Sequence, residues 1–297
     1  MKETEVQPGG RRRIRLATRT AAAVMSTALV MALCPASAFA APPLGVASAG
    51  GLETQASTKT IYVISSVKTK TTYDLGLLGT AEASTTASYE YNSKGMVGSH
   101  ANKVGSASTE TVLAYSGGKL KSASTTGSGA VTSVSYAYGA DGRISKATTA
   151  NTAAAGGVVG ATSGTIMPTY KSGKIVKLVS TDKATANGQS TNSTVTTKYS
   201  YKSGRVSKVA SSLGVTRSYA YDANGNVSKV GSVKYKNTYS KGRLSKTTFS
   251  SNGAKTVRTY KYKAVKVPAS AVEDAEAQQW AIANENLNFA FGIGATY

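Results

Sequence analysis

The chain has 297 residues, with 35 lysines and arginines against 14 acidic residues, one cysteine and one histidine. A single cysteine excludes a disulfide framework, and a lone histidine without cysteine partners argues against a zinc site. Only 16% of residues are charged and 40% are hydrophobic, which is typical of a folded protein rather than a highly charged disordered chain.

The first forty residues resemble an export signal. Arginines at positions 11–13, 15 and 19 precede an apolar run over residues 21–33, and small side chains follow at Ala38 and Ala40. This pattern predicts a signal peptide over residues 1–40, cut between Ala40 and Ala41, with a retained anchor as the alternative. The mature protein is then predicted to be secreted or cell-wall associated, without a transmembrane span, and residues 41–60 are predicted to be a flexible leader.

Pairs of tyrosines two residues apart recur along the body of the chain. The side chains of residues i and i+2 in a strand lie on one face, so each pair places two rings side by side. The pairs are Tyr89/Tyr91, Tyr136/Tyr138, Tyr199/Tyr201, Tyr219/Tyr221 and Tyr260/Tyr262.

Most of these pairs lead into a glycine turn and a second apolar segment. The fullest copy runs Tyr221-Asp-Ala-Asn-Gly-Asn-Val-Ser-Lys229, and related turns follow Tyr91, Tyr115, Tyr138, Tyr170, Tyr201 and Tyr239. Glycine supplies the positive φ that a tight hairpin turn needs, so the repeat predicts seven β-hairpins between residue 89 and about residue 266. A hairpin cannot bury its apolar face alone, and we expect the hairpins to join into one antiparallel sheet, open or partly wrapped.

Two features of this sheet stay open at the level of sequence. Val206 and Val209 are three residues apart, so strict alternation puts them on opposite faces, whereas a bulge after the turn puts both on one face. The segments 150–164 and 182–196 are rich in glycine, alanine, serine and threonine. They are interpreted as extended loops or as lengthened strands at the rim.

The repeat resembles the YD repeat of the Rhs family of bacterial surface and toxin-delivery proteins. Residues 219–227 carry the resemblance most closely, and the chain would be a short member without a toxin domain. The resemblance implies antiparallel sheet that can wind into a hollow shell, and it suggests a structural remnant or partner of a toxin shell as one possible function.

The C-terminal segment differs in charge and in period. Residues 269–297 contain four acidic residues and no lysine or arginine. Ser270 and Glu273 form a capping-box pattern that predicts a helix, which would cover one end of the sheet or bind a protein partner. Apolar residues then alternate from Leu287 to Ile293, which predicts a final strand, and an outer-membrane-type barrel is the alternative interpretation of that tail.

The sequence therefore predicts a mainly β protein with a repeat domain over residues 61–268 and a helix-plus-strand cap over 269–297. We find no catalytic constellation, metal site or cofactor motif. In residues 41–268, 29 basic residues face 8 acidic ones, which favours binding of an anionic cell-wall polymer or glycan, with nucleic acid less favoured because the protein is exported. A hydrolase with a cleft over the sheet is the enzymatic alternative, and lysines that only protect sheet edges from aggregation are the structural one. The predicted ligand-binding residues are Tyr199, Tyr201, Arg205, Lys208, Tyr219, Tyr221, Lys229, Arg243 and Lys246.

Overall fold

The computed structural model describes residues 57–284, apart from residues 77–78, 128, 156–157 and 187–188. This part of the chain forms sixteen antiparallel strands, a single turn of 3-10 helix at Ala269–Ala271, and one α-helix, α1, at Val272–Ala283. The strands are Thr58–Asp74 (β1), Thr80–Tyr91 (β2), Val97–Val104 (β3), Ala107–Ser116 (β4), Lys119–Gly127 (β5), Ala130–Tyr138 (β6), Ile144–Ala155 (β7), Val158–Lys171 (β8), Lys174–Ala186 (β9), Gln189–Lys202 (β10), Arg205–Ser211 (β11), Thr216–Tyr221 (β12), Val227–Val230 (β13), Val233–Ser240 (β14), Arg243–Ser251 (β15) and Ala254–Pro268 (β16).

The sheet is a closed barrel in which every strand pairs with its neighbours in the chain. The first and last strands complete the circle, because β1 pairs with β16 from Thr58↔Pro268 to Tyr73↔Ala254 and with β2 on its other side. The prediction of an antiparallel hairpin sheet with a C-terminal helix is confirmed. The prediction of an open or partly wrapped sheet is wrong, because pairing of β1 with β16 removes the two exposed edges that an open sheet would leave.

Over most of the barrel, the strands have one buried face and one hydrated face. In β4, Thr111 and Leu113 are buried, whereas Val112 between them and Ala114 after them are exposed. Residues opposite each other in neighbouring strands share a face, so the buried positions connect around the whole circle as the inner wall of the barrel. Burial of this inner face is the main stabilising contribution.

The two segments of undecided structure are lengthened strands. Residues 150–164 belong mostly to β7 and β8, and residues 182–196 mostly to β9 and β10, each of which has 12 to 14 residues. The strands β11 to β14 have only 4 to 8 residues. The wall of the barrel is therefore taller at β7–β10 than at β11–β14.

The two ends of the barrel have different turns. At one end, which we call the tyrosine end, the turns follow the predicted tyrosine repeats and connect β2 to β3, β4 to β5, and so on to β14 and β15. At the other end, which we call the open end, the turns connect β1 to β2, β3 to β4, and so on to β15 and β16. Inner-face residues near the open end, such as Ala83 and Thr191, are exposed.

Helix α1 lies across the mouth of the barrel at the tyrosine end. Gln279 Oε1 accepts a hydrogen bond from the Ile64 N–H of β1, and Gln278 Oε1 accepts one from the Val97 N–H of β3. Far around the circle, Trp280 Nε1 donates to the carbonyl of Gly225 in the β12–β13 turn. Since these contacts lie on opposite sides of the mouth, the helix closes this end.

The helix begins differently from the sequence prediction. Its N-cap is Ala271, without a side-chain hydrogen bond, and Ser270 lies in the preceding turn of 3-10 helix. The predicted capping box at Ser270 and Glu273 is therefore wrong, because the chain leaves β16 through the 3-10 turn before the α-helix starts. β1 begins at Thr58, inside the segment predicted as a leader, whereas the predicted signal peptide and the predicted final strand after Glu285 lie outside the described residues.

Candidate functional site

In all repeats but one, the tyrosine nearest the tyrosine end of its strand connects that strand to the preceding one. The hydroxyl of this tyrosine donates to a backbone carbonyl of the preceding strand. The acceptor is an apolar residue near the tyrosine end of that strand. These hydrogen bonds are Tyr91 to Ile64, Tyr115 to Val97, Tyr138 to Leu120, Tyr170 to Ile144, Tyr201 to Ile175, Tyr221 to Val206, and Tyr262 to Leu244, with lengths between 2.6 and 3.0 Å. Backbone pairing between successive hairpins stops before the turns, so the hydroxyls satisfy carbonyls that the sheet itself leaves without a partner.

The cation that follows the turn glycine has a matching role. The charged group of each such residue lies over the ring of the hydroxyl-donating tyrosine in the next repeat. The pairs are Lys119 with Tyr138, Arg143 with Tyr170, Lys174 with Tyr201, Arg205 with Tyr221, and Arg243 with Tyr262, at 5.1 to 5.7 Å from the ring centre. Lys263 of β16 completes the circle over Tyr91, at 5.5 Å. Such cation–π contacts stabilise exposed sites by about 0.5–1 kcal/mol each.

A bulge after each turn explains the spacing of the apolar residues. Tyr201 pairs with Val206, but the residue before Tyr201, Ser200, pairs with Lys208, so Ser207 is the extra residue. Val206 and Val209 therefore both lie on the inner face, and both are buried. The bulge interpretation of this spacing is correct, and the register shifts at the same place in the other six hairpins of the tyrosine end.

Burial keeps these tyrosines protonated. It raises the pKa of Tyr201 and of Tyr221 to about 12, with a smaller opposing effect of the Arg205 charge on Tyr221. The hydroxyls are hydrogen-bond donors over the physiological pH range and are not acid–base groups there.

One repeat departs from the pattern and builds a polar network instead. Tyr239 donates to Asp222 rather than to a carbonyl, and Asn237 Nδ2 donates to the Val227 carbonyl in its place. Burial by itself would raise the pKa of Asp222, but hydrogen bonds from Tyr239, Asn237 and the backbone hold it below the usual value. Burial and the Asp222 carboxylate together raise the pKa of Tyr239 to about 12.

The structure separates the predicted binding residues onto different surfaces. Tyr199 and Tyr219 are buried in the barrel, and Tyr201 and Tyr221 are half-buried at its tyrosine end. Lys208, Lys229 and Lys246 are exposed on the outer wall, because each lies opposite an outward-facing residue in its register.

The two predicted arginines remain beside tyrosines at the tyrosine end. Arg205 lies over Tyr221, and Arg243 lies 3.8 Å from the ring centre of Tyr62 as well as over Tyr262. A single surface of tyrosines and lysines therefore does not form, since the two residue types alternate along each strand.

Lysines are concentrated on the outer wall of one half of the barrel. Residues 174–268, which form β9 to β16, contain 19 lysines and arginines and only two acidic residues. Ten of these lysines face outward: Lys177, Lys183, Lys198, Lys208, Lys229, Lys234, Lys236, Lys246, Lys255 and Lys261. Of the two acids, Asp182 faces inward between Gly164 and Ser193, and Asp222 is bound by Tyr239.

The remaining outward lysines of this wall were not named from the sequence, although a local signal for four of them existed. Lys198 directly precedes Tyr199, Lys234 and Lys236 flank Tyr235, and Lys261 lies between Tyr260 and Tyr262. A residue next to an inward tyrosine must point outward in a strand. That rule locates the basic surface once the tyrosines are known to face inward.

The opposite half of the barrel has a more balanced outer wall. Residues 58–171 contain ten basic and five acidic residues. Here Lys70 forms an ion pair with Glu82 at 2.7 Å, and Lys263 of β16 reaches Glu90 at 2.8 Å. The positive potential is therefore strongest on the side of β9–β16.

Groups that could support catalysis are dispersed within the described residues. The part of the chain that the structure describes has no cluster of three or more histidine, cysteine, aspartate or glutamate side chains able to hold a metal. His100 is buried next to Tyr89, and burial lowers the pKa of His100 to about 4.

Comparison with known proteins gives only distant structural similarity. No protein-family model matches the chain, and no curated protein is similar to it. Among solved structures, a porin-like protein from Bacteroides uniformis is similar at 11% sequence identity and a TM-score of 0.30, covering 67% of this chain and 98% of that one. A likeness at this level carries no argument about function.

The resemblance to the Rhs family is wrong. The sheet closes on itself as a sixteen-stranded barrel instead of continuing as a repeat shell, and no family model matches. The tyrosine–glycine–cation pattern has a structural cause, because the turn, the hydroxyl bond and the cation–π contact each need one of its residues. Any sheet of such hairpins would show the same pattern without common descent.

Within residues 57–284, no helix is both long enough and apolar enough to cross a membrane.

Proposed function

We propose that this protein is an exported, non-enzymatic binding protein whose outer wall of lysines holds an anionic polymer at the cell surface. The signal-peptide pattern of residues 1–40 supports export. The single observation that carries the binding role is the group of ten outward lysines on β9–β16. The two acidic residues of this half of the barrel do not neutralise them, because Asp182 faces inward and Asp222 is bound by Tyr239.

The arrangement of these lysines suits a polymer more than a small anion. Residues i and i+2 of a strand are roughly 7 Å apart, and Lys234 and Lys236 have this spacing. Lys229 and Lys234 lie directly opposite each other in neighbouring strands, so their ammonium groups repel unless an anion lies between them. A chain of regularly spaced negative charges would relieve this repulsion at several points at once.

Lysine chemistry indicates loose binding that depends on salt. An ammonium group attracts anions as a hydrated point charge, without the two-pronged geometry of arginine. Exposed charges are screened over about 8 Å at physiological ionic strength, so each contact is weak and affinity comes from their number. Phosphate or carboxylate polymers of the cell surface fit these conditions.

Charge-matched variants test this proposal. One variant replaces Lys198, Lys208, Lys229 and Lys234 with glutamine on the β9–β16 wall. Its control replaces the exposed Lys94, Lys103, Lys121 and Lys146, which lie between β2 and β7 in the other half of the barrel. Both variants therefore lose four positive charges.

Binding to isolated cell walls is measured by co-sedimentation at increasing salt. We expect the wild type and the control variant to bind at low salt and dissociate as salt rises, and the wall variant to bind at least tenfold more weakly. Equal loss in both variants would show that only net charge matters, and no binding by the wild type at low salt would reject the proposal.

A further inference from the structure

The open end of the barrel has more exposed large apolar side chains than the tyrosine end. Six of the nine exposed large apolar side chains in the described residues lie at or next to the turns of this end. They are Tyr73, Leu75, Val104, Val131, Leu213 and Val215. Leu213 is 57% exposed, Val104 54% and Leu75 49%.

The sequences of the turns show the same asymmetry. None of the eight segments that connect strands at the open end contains a charged residue, and only the first directly adjoins one, Asp74. This first segment, residues 75–79, reads Leu-Gly-Leu-Leu-Gly. At the tyrosine end, every turn contains a charged residue or directly adjoins one, as in residues 139–143 and 202–205. A concentration of exposed apolar side chains at one end of a protein favours an interaction site there.

Cations lie close behind these apolar turns. Lys103 precedes Val104, Arg217 follows Val215 by two residues, and Lys255 lies two residues after Gly253. Long basic side chains behind an apolar contact region are typical of proteins that dock on anionic lipid, since the apolar groups enter the interface while the cations remain among the headgroups.

We propose that the open end docks on the surface of an anionic lipid bilayer, with the Leu75 and Leu213 turns entering the headgroup region. The exposed apolar residues lie on separate turns, from β1–β2 to β5–β6 and again at β11–β12, around a mouth whose inner wall is itself exposed. A folded partner would need a continuous surface that matches this ring, whereas a fluid interface accepts each turn separately.

A second copy of this chain is the less suitable occupant. Two open ends facing each other would bring Lys103, Arg217 and Lys255 of both copies together at the same contact. Like charges destabilise such a contact, whereas an anionic membrane attracts each basic residue near its surface.

Flotation with lipid vesicles tests the docking. The protein used is the chain starting at Ala41, because the apolar run at residues 21–33 would bind lipid by itself, and the described fold lies wholly inside this chain. Vesicles of phosphatidylcholine and phosphatidylglycerol in equal parts are compared with vesicles of phosphatidylcholine alone. We expect binding to the anionic vesicles that weakens as salt rises.

Two apolar-to-polar variants locate the contact. The double variant Leu75→Asn/Leu213→Asn should reduce the vesicle partition coefficient roughly tenfold, since each leucine gives up part of its transfer free energy. The control Val112→Asn/Met167→Gln changes apolar residues of the outer wall that are equally exposed, and it should bind as the wild type does. Equal loss in both double variants, or no loss in the first, would overturn the proposal.

Fluorescence quenching by brominated lipid gives the orientation. The single tryptophan, Trp280, lies at the tyrosine end, so lipid should not quench it in the wild type. In Leu213→Trp the added fluorophore lies at the open end and should be quenched. Quenching of Trp280 in the wild type, or self-association of the chain in place of vesicle binding, would contradict docking through the open end.

Discussion

Gly95 is the point where the β2–β3 turn meets helix α1, and its replacement by alanine tests how the barrel mouth is closed. Its φ is +73°, in the left-handed region that favours glycine. A Cβ at this position would lie 2.6 Å from Cγ1 of Val267 and 3.2 Å from Cβ of Ala275. Val267 and Ala275 are both completely buried, so neither can move aside without displacing the strand or the helix.

The size of the effect follows from two separate contributions. An alanine in the left-handed region costs about 1 kcal/mol, and overpacking of a tight core costs about 2 kcal/mol more. Gly105 supplies the matched control, because its φ is +59° but a Cβ there would meet no atom within 4 Å. We expect Gly95→Ala to lower the free energy of unfolding by about 3 kcal/mol and Gly105→Ala by about 1 kcal/mol.

Urea unfolding followed by circular dichroism measures both variants, and Trp280 fluorescence reports on the helix separately. In Gly95→Ala the Trp280 signal should change even before unfolding, because the helix carries both Ala275 and Trp280. Equal destabilisation of the two variants, with an unchanged Trp280 spectrum, would refute the packing of the helix against this turn.

Three further predictions concern the inner wall and its hydrogen bonds. Tyr201→Phe leaves a carbonyl without its donor and should cost about 1 kcal/mol in urea unfolding, whereas Tyr73→Phe at the open end should cost almost nothing. His100 has a folded pKa of about 4, below its unfolded value, so the unfolded state binds the proton first and stability should fall as the pH drops below about 6.5. Replacing His100 with leucine should remove that slope, and an unchanged slope would show that another group titrates. The folded pKa of Asp222 is also lowered, so its contribution is present above its unfolded pKa and is lost as the pH falls through the folded value. Asp222→Asn should weaken the bond from Tyr239 and flatten the acid limb of the stability curve, measured by urea unfolding between pH 2 and pH 5.

The hairpins could be predicted because their causes are local. Each hairpin depends on residues that are close in the chain, namely a glycine at the turn, tyrosines at i and i+2, and an apolar residue after the cation. All seven predicted hairpins are present. For Val206 and Val209 the sequence leaves two alternatives, and a bulge is one of them. Because the two valines are three residues apart, few other arrangements bury both side chains.

The candidate site could not be predicted in the same way, because the sequence leaves the inner face undefined. Rings and lysines that alternate along a strand are consistent with a tyrosine surface facing solvent or with one facing a core. The tyrosines were interpreted as binding groups, yet Tyr199 and Tyr219 are buried in the barrel. Arg205, predicted as a ligand-binding residue, lies over the ring of Tyr221, a contact between different repeats that no local pattern specifies.

The amino-acid sequence by itself determined the antiparallel hairpins, the helix that follows Pro268 and the excess of positive charge, because turn chemistry, strand alternation and composition act over a few residues. Tertiary structure alone decided that β1 pairs with β16, across about 200 residues of chain, and that closure puts the tyrosines inside and the lysines outside. The physical reason is that a sheet acquires an inside only when its ends meet, and no single hairpin carries that information.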